Sequence, residues 1–137
     1  IATGEPLTES KREAIERVGA SATPRYAYGG GFNIGFGCAN PGHTDEIHVN
    51  QHMQALIPHP RPRSNDGPPI HPLLCTTVHP LAPRLLLNVA NGDYATFAKR
   101  DCGCGLEKAG LTLHLHTIRS YEKFATEGMN YYYVDRF

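Results

Sequence analysis

The feature that most constrains this chain is the run Cys102-Gly103-Cys104-Gly105. Two thiols one residue apart, with glycines that let the backbone fold around an ion, read better as two ligands of a tetrahedral metal than as a disulfide. Cys38 follows a glycine-rich stretch, and His43 and His48 lie five and ten residues beyond it. Either histidine completes a Cys3His set on spacing alone. Such a set suits structural zinc, which would close segments far apart in sequence and offset the loop-closure entropy. The competing explanation is a pair of free thiols in a turn. Cys75, inside Leu73-Leu74-Cys75-Thr76-Thr77-Val78, reads as a small buried core thiol.

A length of 137 residues suits one domain with its own core. Thirteen basic and thirteen acidic residues leave no net charge, so there is no electrostatic reason for a nucleic-acid or anionic-membrane partner. No apolar run reaches the roughly 20 residues of a membrane helix, and the first residues lack a signal-peptide pattern. With only four cysteines, a reducing, cytoplasmic setting is expected. A start at Ile1 and a stop at Phe137, just after an aromatic run, lead us to expect a piece of a longer protein.

Capping signals predict a helix over 6–18, with Thr8 or Ser10 as N-cap, Glu13 three places after Ser10, and Gly19 ending it. Leu7, Ala14, Ile15 and Val18 form its apolar stripe, with Glu13 and Arg17 paired on the other side. Residues 26–37 are glycine-rich and read as a loop or bent strand. The run is a weak phosphate motif, because no Gly-Lys-Ser/Thr follows it. Strands are expected over 46–57, with Ile47, Val49, Met53 and Ile57, and over 73–78. Between them, 58–72 holds six of the eleven prolines and should be an exposed, mobile loop. Asn91-Gly92 between two apolar runs predicts a hairpin, with Asp93 as ordinary turn chemistry. Residues 111–118 alternate as a strand, leucines on one side and His114 and His116 on a solvated other side.

Taken in order, Gly4-Glu5-Pro6-Leu7-Thr8, Tyr28-Gly29, Cys38, Ile47-His48-Val49, Asn91-Gly92-Asp93, Cys102-Gly103-Cys104-Gly105 and Arg119 make a familiar succession. It resembles the phenylacetate-CoA ligase-like branch of the adenylate-forming enzymes. The resemblance implies that Tyr28 and Gly29 line an adenine pocket, that Asp93 holds ribose hydroxyls, and that Arg119 makes a second ribose or phosphate contact. It implies zinc on Cys38, His48, Cys102 and Cys104, favouring His48 over His43. ATP or AMP is then the expected nucleotide. In this likeness 1–137 is a single domain equivalent to the end of the large N-terminal domain, and 118–137 is a hinge-like segment.

The expected fold class is α+β: a β-rich, distorted barrel-like antiparallel sheet with a leading helix, stapled by zinc. Phe32 stands where the family's Tyr-Gly-x-Thr-Glu has its magnesium-binding glutamate. A phosphate loop with lysine and the adenylation lysine are both missing. The resemblance therefore implies an incomplete or degenerate segment of an acyl-CoA ligase-like protein that does not adenylate alone. In the full enzyme ATP and a carboxylic acid give an acyl adenylate, then a thioester. The alternative is a self-standing zinc-stabilised binding module without catalysis, using the glycine loop, the proline-rich loop and Tyr131, Tyr132 and Tyr133 as a partner surface. Apolar surface near the C-terminal tyrosines makes a homodimer the expected assembly.

Overall fold

Helix and strand boundaries follow local chemistry closely in the computed structural model, which describes residues 1–28, 32–60, 70–121, 123–126 and 129–132. Thr8 is the N-cap of α1 (Glu9–Glu16): its backbone is extended and its hydroxyl accepts from the Lys11 N–H at 3.4 Å. Gly19, at φ +77°, turns the chain away after the helix. The surface ion pairs run from Arg12 to Glu9 and Glu16 rather than between Glu13 and Arg17. Such exposed pairs are screened by solvent and contribute little to stability. The expected apolar stripe does not pack as a stripe. Leu7, just before the helix, is buried, but no residue of α1 itself is, and Val18 is 80% exposed. With the helix over at Glu16, Val18 falls in the exit turn.

The main sheet is built from β1 (Arg25–Tyr28), β2 (Phe32–Gly37), β3 (Ile47–Val49), β4 (Gln54–Pro58), β5 (Pro72–Thr77), β6 (Val89–Lys99) and β7 (Leu113–Ser120). Their order is β1-β2-β3-β7-β6-β5-β4, and every neighbouring pair is antiparallel. The β-rich reading holds, while the barrel-like closure does not: among the described residues the sheet is open, with β1 and β4 as its edges. Edge strand β4 ends in Pro58, which has no N–H with which to extend a ladder. A short helix α2 (Gly105–Lys108) precedes β7, and β8 (Lys123–Thr126) pairs with β9 (Met129–Tyr132) in a separate two-stranded ribbon.

The glycine-rich stretch is a hairpin of β1 and β2, with a bulge between Tyr26 and Ala27. Glycine is required in β2 because a Cβ on Gly35 would run into the backbone carbonyl of His48 on β3, and one on Gly37 into Pro24. The single strand expected over 46–57 is two, β3 and β4, separated by a turn. Of the proline-rich loop, 61–69 lie outside the described residues; at its margin the His59 N–H donates to the Pro72 carbonyl at 2.9 Å.

The hairpin expected at Asn91-Gly92 is overturned. Both residues lie inside the continuous strand β6. Opposite them the register slips: Pro72 pairs with Tyr94 but Leu74 with Ala90, so extra residues of β6 bulge outward. Gly92, at φ +79°, supplies the left-handed conformation that a bulge needs as much as a hairpin does. Asn91 Oδ1 accepts from the Asp93 N–H at 3.1 Å, which closes the bulge locally.

The core lies on this sheet: Ile34, Ile47, Val49, Leu56, Leu73, Cys75, Leu115 and Ile118 form one buried cluster. Cys75 is fully buried within it, as expected. β7 differs from the expectation of one wet face, because His114 is as completely buried as Leu115. A covering layer, the segments around 38–46 and 100–111, sits over the histidine side and brings the cysteines with it. None of the described helices is long and apolar enough to cross a membrane.

Candidate functional site

Two sites are built on the sheet, and residues 45–48 join them. This segment runs from a turn at Asp45 into β3, and its side chains divide between the two sites. Asp45 and Ile47 line a cavity, while Glu46 and His48 belong to a buried Cys/His corner.

In that corner Cys38, His48, Cys102 and Cys104 are all buried, and their ligand atoms lie within 4.8 Å of one another. Cys38 leaves the end of β2. His48 comes from β3, directly across the ladder from His114 on β7. Cys102 and Cys104 arrive on the link from β6 to α2, with Cys104 as the α2 N-cap. Gly103 between them has φ +70°, so the backbone folds back and both thiols face inward.

His48 Nδ1 lies 2.6 Å from the Leu111 carbonyl oxygen. A carbonyl only accepts, so Nδ1 carries the proton and Nε2 presents its lone pair to the sulfurs. Nε2 is 3.2 Å from Cys104 Sγ and 3.6 Å from Cys102 Sγ. With metal bonds of about 2.3 Å to sulfur and about 2.0–2.1 Å to nitrogen, a tetrahedral zinc site has N···S edges of about 3.6 Å. The four ligand atoms therefore lie close enough together to hold one metal ion, and the donor set is of the kind that suits zinc.

The surrounding groups hold this corner in place. One carboxylate oxygen of Glu107 accepts from the N–H groups of Cys102 and Gly103, both at 2.6 Å. Asn40 donates to the Cys102 carbonyl at 2.9 Å. Arg100 donates to Glu46 at 2.8 Å and to the Asn40 carbonyl, and its guanidinium lies 3.7 Å from Cys38 Sγ. Three thiolates and a neutral histidine around a divalent ion leave one net negative charge, which a guanidinium at that position offsets.

Burial raises the carboxyl of Glu46, but Arg100 and the N–H groups of Gly42 and His43 outweigh it and hold the group down to about 2. Burial likewise works against ionisation of Cys104, yet the backbone amides of Glu107, Leu106 and Ala39 and the Cys102 thiol keep it below the ordinary thiol value. Burial instead pushes the Cys38 thiol up and the Cys102 thiol up to about 12, so of the three Cys104 is the one disposed to ionise, and a thiolate is the form that binds a metal.

His114 Nδ1 lies 2.6 Å from Glu46, out of hydrogen-bond alignment, and its ring contacts that of His48 at a centroid distance of 4.1 Å. His43 is not a member of the cluster. It stacks on His116 instead, with ring centroids 3.8 Å apart.

The second site is a cavity of about 250 Å³ lined mainly by apolar groups, with Tyr26, Asp45, Asp93 and Arg119 among its polar ones. Asp93 comes from the β6 bulge and Arg119 from the end of β7. Asp45, a buried carboxylate, accepts from the N–H groups of Thr117 at 3.0 Å and Ile118 at 2.9 Å and from Arg119 at 2.8 Å. It thereby stabilises Thr117 at φ +53°, a conformation that costs a branched side chain about 1–2 kcal/mol, and aims Arg119.

Of the residues that the resemblance implied for a nucleotide, Asp93 and Arg119 line this one cavity. Tyr28 packs against the sheet core, and Gly29 lies outside the described residues. Tyr26, which sequence reasoning passed over, is the tyrosine that lines the cavity. Tyr26 and Tyr28 are two apart on β1 and both pack against the sheet core, but Tyr26 alone of the two also reaches the cavity. Asp45 and Glu46 were also missed; an acidic pair next to Ile47-His48-Val49, an apolar strand, was the available signal.

Compared with known proteins, the chain matches no family model, no curated protein and no solved structure.

Proposed function

We propose that this chain is a zinc-stapled segment of an adenylate-forming, phenylacetate-CoA ligase-like protein, and that its cavity receives the ribose end of ATP or AMP. What supports this reading is that Asp93 and Arg119, from different strands, line the same cavity. In this reading Asp93 accepts from the ribose hydroxyls. Arg119, kept in place by Asp45, donates to the same sugar or to a neighbouring phosphate oxygen. At about 250 Å³ the cavity falls below the roughly 300–1,000 Å³ of drug-sized pockets, so it suits part of a nucleotide rather than the whole.

The metal's role is structural. Zinc on Cys38, His48, Cys102 and Cys104 would hold residues 38–48 against the β6–α2 link, and through Asp45 it would hold Arg119. With Phe32 in place of the family's glutamate, the segment does not carry out adenylation on its own.

Titration of the protein with AMP, followed by calorimetry, tests the proposal. Asp93→Ala should weaken AMP binding by at least about 10-fold, the loss expected for a charge-assisted hydrogen bond, with metal content unchanged. AMP affinity equal in both proteins would contradict it.

A second reading, a zinc-stabilised binding module without catalysis, draws support from the exposure of Leu81, Leu85 and Leu87 on the loop between β5 and β6. Under that reading AMP does not bind the native protein.

A further inference from the structure

Tyr26 and Asp93 come from strands that are not neighbours. Three strands, β2, β3 and β7, lie between β1 and β6 in the sheet order, so no ladder bond ties one residue to the other. They meet through side chains. The Tyr26 hydroxyl donates to Asp93 Oδ2 at 2.6 Å and accepts from Asn91 Nδ2 at 2.7 Å. Asn91 Oδ1 in turn accepts from the Asp93 N–H at 3.1 Å. The result is a closed ring of three hydrogen bonds in which every donor has an acceptor, with the carboxylate as its only charged member. Such a ring fixes the plane of the carboxylate more firmly than the bulge alone, because a short side chain on a bulged strand otherwise keeps its rotamer freedom.

We propose that Tyr26 is a positioning residue for the cavity: it sets the orientation in which Asp93 meets a vicinal diol, and so determines selectivity for a sugar that carries both hydroxyls. This rests on the nucleotide reading above. Burial and the charge of Asp93 push the Tyr26 phenol above its ordinary value, so at neutral pH it stays a donor to the carboxylate. A phenylalanine at 26 keeps the ring that packs against the core and removes only the hydroxyl.

The test compares adenosine with 2′,3′-dideoxyadenosine, titrated into the native protein and Tyr26→Phe and read by calorimetry. Native protein should prefer adenosine by at least about 10-fold, as expected for hydrogen bonds to a charged acceptor. In Tyr26→Phe that preference should shrink to within about 3-fold, while affinity for the dideoxy analogue stays unchanged. Tyr26→His, which can restore a donor, should recover part of the preference; a merely structural role would not produce this pattern. A full adenosine preference in Tyr26→Phe would overturn the inference while leaving the nucleotide reading intact. Failure of the native protein to bind either nucleoside would overturn both.

Discussion

The sheet core and the Cys/His corner are packed by different means. The core gathers Ile34, Ile47, Val49, Leu56, Leu73, Leu115 and Ile118 with Cys75, enough aliphatic surface to hold by burial alone. The corner's buried cluster is Cys38, Cys102 and Cys104, with Leu106 as its one partly buried apolar neighbour among the described residues. Small thiols bury little apolar area, and three of them side by side tend to repel once ionised. The core can therefore form without a ligand, whereas the corner has little apolar surface of its own and, in the proposed reading, would draw its cohesion from an ion. The lesson concerns placement: under the proposed reading, a metal would take the place of a core where the chain has crossed from the sheet to its covering layer.

Metal removal should break this contrast most visibly. Chelation of the native protein should raise hydrogen exchange strongly in residues 38–48 and 100–111 while β5 and the middle of β6 stay protected. Structural zinc in small domains contributes about 10 kcal/mol or more of binding energy, so this is the largest effect expected. Uniform loss of protection across the sheet would mean that the two regions are not separate.

The converse test is Leu115→Ala, which opens a void in the aliphatic cluster. It should cost about 2–5 kcal/mol in denaturant unfolding, with the metal retained. Loss of metal in that variant would show that the corner depends on the core more than its own hydrogen bonds imply.

The smallest effect concerns the His43–His116 stack beside the corner. Burial and the neighbouring His43 hold His116 below its ordinary 6.5, against the pull of Glu46 and Asp45. The unfolded chain therefore takes up this proton first as pH falls. The stability contributed above about 6.5 is lost as pH falls through the lower folded value. Melting temperature followed from about pH 7.5 to about pH 5 should decline, and less steeply in His43→Ala, which removes the second ring but not the burial. An unchanged slope in that variant would leave burial as the whole cause.

Much of this contrast was legible in the sequence. The glycines around Cys102 and Cys104 announced a turn built for two thiols, and of the two cap candidates, Thr8 and Ser10, it is Thr8 that starts the helix. The strand expected over 73–78 followed from its apolar run and that over 111–118 from alternation, and they are observed as Pro72–Thr77 and Leu113–Ser120. What remained hidden was non-local. Asn-Gly carries the same left-handed backbone into a bulge or a hairpin, and only the partner strand β5 decides which. His114 reads as a solvated strand face until a covering layer closes over it. Spacing left His43 and His48 equal, and the ladder between β3 and β7 is what places His48 among the thiols. Tyr26 and Tyr28 read alike on one strand, and only the arrival of Asn91 and Asp93 from β6 marks Tyr26 as the one at the cavity.

The most direct measurement is native mass spectrometry of the purified chain alongside Cys38→Ser, His48→Ala, Cys102→Ser, Cys104→Ser and Cys75→Ser. One zinc per chain is predicted in the native protein and in Cys75→Ser, whose thiol lies in the sheet core, with metal lost from each of the other four. A native chain without metal, or a Cys75→Ser variant that loses it as the others do, would contradict the account.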